Sequence, residues 1–100
     1  MKTNIRVSPQ VIDFVKSLAP EPRRQLTQAI KALAQNRGDI KHLEGKLEGY
    51  ARLRVSGHRV IFCEAFKGGS RSIDCVFAEK RSIVYDIFIQ LAAEELGQEK

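Results

Sequence analysis

The sequence predicts an α+β domain of order β-α-α-β-β-β-α, with two N-terminal helices packed on one face of an antiparallel sheet and a C-terminal helix. Three observations carry this. Apolar residues recur at helical spacing twice between Val11 and Leu33, the period falls to two between Tyr50 and Ala78, and helical spacing returns after Ser82. The 100 residues suit a single domain spanning residues 1–100, because a core of that size folds without staples.

Asn4-Ile5-Arg6-Val7 alternates briefly, and Ser8-Pro9 then supplies an N-cap and a first-turn proline. Val11, Phe14, Val15 and Leu18 form one apolar stripe of the helix that follows, which ends near Ala19-Pro20. A second helix starts around Glu21-Pro22, repeats the spacing at Leu26, Ala29, Ile30 and Leu33, and stops at Arg37-Gly38, where glycine can take the left-handed cap. Residues 39–49 are polar and predict a connection. Tyr50-Ala51-Arg52-Leu53-Arg54-Val55 alternates strictly, Ser56-Gly57 gives a turn, and residues 58–66 form a longer, mostly apolar strand. Lys67-Gly68-Gly69-Ser70 turns the chain again into a strand over residues 72–78. Ser82 caps a last helix, with Ile83 or Val84, Ile87, Phe88 and Leu91 on its inner face.

Charge is unevenly placed. The net charge of +5 divides into +4 for residues 1–49, +4 for residues 50–85 and −3 for residues 86–100. A basic body attracts polyanions or an acidic protein, although the same charge also serves plain solubility. Cys63 and Cys75 sit inside apolar runs with neither metal-ligand nor disulfide-framework spacing, which fits reduced thiols and small core residues. No apolar run reaches the length of a membrane span and the N-terminus leads into no signal-like segment, so a cytoplasmic protein with no membrane partner is expected.

A two-residue loop at Ser56-Gly57 pairs Val55 with His58, Arg54 with Arg59, Leu53 with Val60 and Arg52 with Ile61. Opposed residues share a face, so Ala51, Leu53, Val55, Val60 and Phe62 turn to the helices while Tyr50, Arg52, Arg54 and Arg59 turn away. Like charges opposed across strands cost up to about 1 kcal/mol, and a polyanion reverses that sign through planar guanidinium donors. The plainer reading is a solvated face with Glu48, Glu64 or Asp74 interleaved. Tyr50 among the arginines would suit single-stranded RNA as a stacking platform. Lys80-Arg81 and Tyr85 lie at the junction of the last strand and helix, where Tyr85 either presents its hydroxyl beside Arg81 or anchors the core. His58, beside the turn, can reach solvent or the arginines.

The pieces Leu43-Glu44-Gly45, residues 50–62 and Lys80-Arg81-Ser82-Ile83-Val84-Tyr85, in this order, resemble the RelE/ParE toxin superfamily. Its members share a leucine-x-glycine, a tyrosine-led hairpin carrying arginines, and an arginine–valine–tyrosine run before the last helix. The resemblance, closest to the RelE branch, implies a toxin of a type II toxin–antitoxin system. That toxin is a ribosome-dependent mRNA endoribonuclease in which the substrate's 2′-hydroxyl attacks the adjacent 3′-phosphate, so that translation stops. It implies no metal and no cofactor. Its partners would be a cognate acidic antitoxin, the ribosome and mRNA, with operator DNA met only through the antitoxin complex. Carried over position by position, Arg59 and Arg81 match phosphate-stabilising arginines, Arg52 a basic hairpin position, and Tyr85 the tyrosine near the C-terminus. Arg54 matches a frequently basic position, and Tyr50, Lys46 and Lys80 join it as RNA-binding candidates. The chain departs from the pattern where His58 replaces a tyrosine and where Tyr50 and Arg52 replace two lysines. Arginine is a poor base, so Tyr85, His58 or Glu48 would move the proton. Two other readings stay open: a ParE-like inhibitor of DNA gyrase without enzymatic activity, and a plain nucleic-acid-binding module.

Overall fold

In the computed structural model, which describes residues 2–80 together with Phe88 and Gln90, the chain opens with strand β1 (Lys2–Val7) and turns at Ser8 into helix α1 (Pro9–Ser17). Ser8 Oγ accepts from Val11 N at 3.3 Å and donates to Val76 O at 3.1 Å, so one hydroxyl caps the helix and ties it to the sheet. Pro9 occupies the first turn, where its missing N–H leaves no bond unmade. Helix α2 (Pro20–Ala32) buries Leu26 and Ile30 and tightens into a 3-10 turn at Leu33–Gln35. The left-handed residue that ends it is Asn36, at φ 58°, rather than the expected Gly38; asparagine tolerates that region because its short side chain bonds locally. Gly38 has a different duty. At φ +128° it passes so close to the sheet that a Cβ there would lie 2.8 Å from Leu53 Cδ1.

The remaining elements are β2 (Asp39–His42), a 3-10 turn at Gly45–Leu47, β3 (Ala51–Val55), β4 (His58–Lys67) and β5 (Ser70–Lys80). They form one five-stranded sheet of order β1-β5-β4-β3-β2. The expected all-antiparallel sheet is corrected: β1 runs parallel to β5, and the other pairings are antiparallel. The polar connection read at residues 39–49 is corrected too, since its first four residues are an edge strand. Asp-Ile-Lys-His carries one apolar residue, Ile40, which packs on the helix side, so alternation has nothing else to register. Charged residues on an edge also discourage pairing with another chain. The C-terminal helix expected from Ser82 onward lies outside the described residues, apart from Phe88 and Gln90. No helix among the described residues is long and apolar enough to cross a membrane.

Side-chain bonding extends the β1–β5 ladder beyond its last backbone pair. That ladder ends at Val7 opposite Cys75, where the chain leaves for α1. Gln10 then supplies the missing partners of the next free β5 residue, its Nε2 donating to Ala78 O at 2.7 Å and its Oε1 accepting from Ala78 N at 2.8 Å. Gln10→Ala is expected to lower unfolding stability by about 1–3 kcal/mol, the cost of stranding part-buried backbone groups. Urea melts measure it, and a loss below about 0.5 kcal/mol would mean that water replaces the amide without penalty.

Two apolar clusters flank the sheet. On the helix side Val11, Leu26, Ile30 and Leu33 meet Ala51, Leu53, Val60, Phe62, Ile73, Cys75 and Ala78. On the other side Leu47, Ile61, Phe77 and Phe88 form a smaller cluster with Leu43, Tyr50 and Val76 packed around it. A β-bulge makes the second cluster possible. Ile61 faces Phe77 while Phe62 faces Cys75, which leaves Val76 as an extra residue in β5. Simple alternation from Ile73 and Cys75 would send Phe77 to the helices; the added residue turns it to the opposite face.

Candidate anion-binding face

The hairpin register is the one the alternation predicts: Arg52 faces Ile61, Leu53 faces Val60, Arg54 faces Arg59 and Val55 faces His58. Arg52, Arg54 and Arg59 therefore share the side of the sheet away from α1 and α2. Their environments differ. The Arg54 side chain is 51% exposed, whereas that of Arg52 is only 13% exposed. Arg59 is buried, and its Nη1 donates to Ser56 O at 3.0 Å and His58 O at 2.9 Å, clamping the turn it follows.

The acids interleaved with these arginines are not those read from the sequence. Glu64 pairs with Arg71 at 3.0 Å and Asp74 stands 3.8 Å from Arg6. Asp39 of β2 instead meets the hairpin: its Oδ1 accepts from Arg52 Nη2 at 3.3 Å, and its Oδ2 lies 3.8 Å from Arg54 Nε. Register then lines up Asp39, Arg54, Arg59 and Glu79 across four adjacent strands, a row of charges in the order minus, plus, plus, minus. The flanking carboxylates relieve the repulsion between the two central arginines. Arg52 Nε is buried and has no hydrogen-bond partner among the described residues. Asp39 was hidden by the missed edge strand, and Glu79 by the bulge, which moves every residue after it by one position.

The other predicted residues are distributed as follows. Tyr50 is not a bare stacking platform: it is half-buried, edge-on to Phe88 at 5.1 Å between ring centroids, inside the second apolar cluster. His58 shares Val55's side of the sheet and meets Phe14 of α1 edge-on at 5.6 Å, so it stands across the sheet from the arginines. Lys80 faces His58 in the register and is exposed. Lys46 is exposed in the 3-10 turn Gly45–Leu47. Arg81 and Tyr85 lie outside the described residues. Burial, with Asp74 beside it, pushes the Cys75 thiol up to about 12, and the same two causes raise Cys63, so neither is a thiolate nucleophile at neutral pH. Among the described residues no three of His, Cys, Asp and Glu cluster as metal ligands.

No family model and no curated protein matches the sequence. Solved structures do match the fold. A YoeB/ParE toxin from Agrobacterium tumefaciens superposes with a TM-score of 0.63 at 16% identity, covering 81% of this chain and 99% of that one. The RelB-RelE antitoxin–toxin complex from Methanococcus jannaschii gives 0.61 at 20% identity over 83% and 98%. This is the RelE/ParE toxin fold. The archaeal RelE-RelB complex from Pyrococcus horikoshii OT3 agrees, at 0.61 and 22% identity over 81% and 97%. Within the RelE/ParE fold the chain keeps two helices on one side of the sheet and leaves the arginine row on the other.

Proposed function

We propose that this chain is the toxin of a toxin–antitoxin pair and that its arginine face is the phosphate-gripping surface of a metal-independent mRNA endoribonuclease working at the ribosome. The observation that carries the reading is the gathering of Arg52, Arg54 and Arg59 on the side of the sheet away from the helices, in a chain with the RelE/ParE fold. In the reaction the substrate's 2′-oxygen loses its proton and bonds to the adjacent phosphorus. The bond from phosphorus to the 5′-oxygen of the next nucleotide breaks, and that oxygen takes a proton. The products are a 2′,3′-cyclic phosphate and a 5′-hydroxyl. The chemistry needs cations around a phosphorane and a group that moves protons. Arg52 and Arg59, joined by Arg81, serve as the cations, and Arg54 and Lys46 hold flanking phosphates, whereas Lys80, opposed to His58 in the register, falls on the helix side and is set aside.

Tyr85 is the proposed proton-moving group. His58 is set aside from that role because it packs on Phe14 across the sheet. Tyr85→Phe is expected to lower cleavage about 10²–10⁴-fold with RNA binding unchanged. Single-turnover cleavage of mRNA on ribosomes measures it. A full rate in Tyr85→Phe together with a collapse in Glu79→Gln would move the role to the carboxylate that register sets beside Arg59.

The basic body, with its net charge of +5, fits an acidic antitoxin that covers this face. Expression of the chain followed by mapping of 5′-hydroxyl ends on translated mRNA tests the reading. A gyrase-directed inhibitor is the second reading, favoured by the structural use of Arg59 at the turn and by the YoeB/ParE neighbour. Intact mRNA with altered supercoiling of chromosomal DNA would select it.

A further inference from the structure

Asp39 lies on the edge strand beside the hairpin, its carboxylate is half-exposed, and each of its oxygens faces a different guanidinium. Two guanidinium groups converging on one small anion is also the arrangement with which a pair of arginines grips a phosphodiester. Arg52 is held there with little exposure and Arg54 with much, so the pair has one sheltered and one accessible member. At the other end of the charged row the Glu79 carboxylate accepts from the Lys80 amide at 3.0 Å. With a guanidinium facing each of its oxygens, Asp39 sits where a phosphate would sit.

We propose that Asp39 is a built-in counter-ion that competes with RNA phosphate for Arg52 and Arg54, setting how weakly the face holds polyanions in general. The inference rests on the arginine face being the phosphate-binding one, and it names a specificity-determining residue for that face. A bare trio of arginines would hold any RNA backbone, because phosphate contacts carry no sequence information. With an internal anion in place, a phosphate gains only the difference between its own interaction and that of Asp39. The face is then weak toward free RNA and depends on a context, such as a ribosome-bound message, that supplies further contacts.

The test compares wild type with Asp39→Asn, which keeps the shape and removes the charge. Asp13→Asn, a neutralisation on the exposed outside of α1, controls for net charge. Asp39→Glu, which keeps the anion, should remain near wild type. The probes are a fluorescent 2′-O-methyl oligouridylate, which has no 2′-hydroxyl to react, and inorganic polyphosphate. One additional phosphate-competent charge steepens the log–log salt dependence of single-strand binding by about 0.7, which amounts to about a fourfold gain in affinity near physiological salt relative to 1 M. Asp39→Asn is expected to show both changes with both probes, and Asp13→Asn neither. Equal affinity in Asp39→Asn and wild type, or no binding of polyphosphate by either, overturns the proposal. Weaker binding overturns it in favour of a carboxylate that merely holds the arginines in place. Cleavage of ordinary mRNA by the same preparations reports separately on the ribonuclease reading. Tightened binding without cleavage keeps Asp39 and removes the enzyme; cleavage with unaltered binding does the reverse.

Discussion

Replacing Arg59 with alanine is expected to lower mRNA cleavage by about 10²–10³-fold, the usual consequence of removing one preorganised donor from a developing oxyanion. Arg59 also has a structural duty, and the two contributions separate by magnitude. Its Nη1 holds the Ser56 and His58 carbonyls, and losing those charge-assisted bonds costs about 2–4 kcal/mol, offset by up to about 1 kcal/mol from relief of the opposed Arg54. A domain that starts with about 5–6 kcal/mol keeps enough stability for more than about four-fifths of its molecules to stay folded at 25 °C. Unfolding therefore accounts for a small part of a hundredfold loss. Thermal melts of the variant beside its cleavage rate make the comparison. A folded Arg59→Ala protein that cleaves at the wild-type rate would reduce the residue to a clamp for the turn. Arg59→Lys sharpens the point, because it keeps the charge and loses the planar guanidinium, whose Nη1 alone holds both carbonyls.

The hairpin was legible because it is local and strictly alternating. Ser56-Gly57 sets the loop length, and every pair from Arg52 with Ile61 to Val55 with His58 follows by counting. The same counting places His58 beside Val55 on the helix side, so its distance from the arginines is implicit in the hairpin register. The two amphipathic helices were legible for a similar reason, each carrying one stripe at helical spacing. What was not legible is non-local or anti-periodic. The parallel pairing of β1 with β5 joins residues about 68 apart and leaves no turn signal between them. β2 has too few apolar residues to show alternation, and Asp39, the acid that meets Arg52 and Arg54, was lost with it. The bulge at Val76 breaks the period of two at one point, which reverses Phe77 and brings Glu79 into line with Arg59. Tyr50 was placed on the correct side, but the second cluster that encloses it depends on the reversed Phe77 and on Phe88 from far along the chain.

The largest expected loss of stability comes from Phe62→Ala. Phe62 is 1% exposed, and its register partners on either side are the small residues Ala51 of β3 and Cys75 of β5. The ring fits because both neighbours are small, and together the three fill one row of the helix-side core. Alanine would leave three small side chains in line, with no larger neighbour in the row able to lean into the space. Buried phenylalanine-to-alanine changes cost about 3–5 kcal/mol, the upper end applying where the site cannot collapse. A loss of that size takes much of the stability of an ordinary domain. Urea unfolding of Phe62→Ala should show the midpoint falling steeply with an unchanged slope, while Phe62→Leu should lose well under half as much. Because Phe62 adjoins the bulge, the arginine face feels the change as well. If the pleat around Ile61 and Phe77 is held by the ring packed behind it, Phe62→Leu will also weaken polyphosphate binding, although no residue of that face has been altered. Unchanged binding in a measurably destabilised Phe62→Leu protein would show that the bulge holds its geometry through backbone pairing alone.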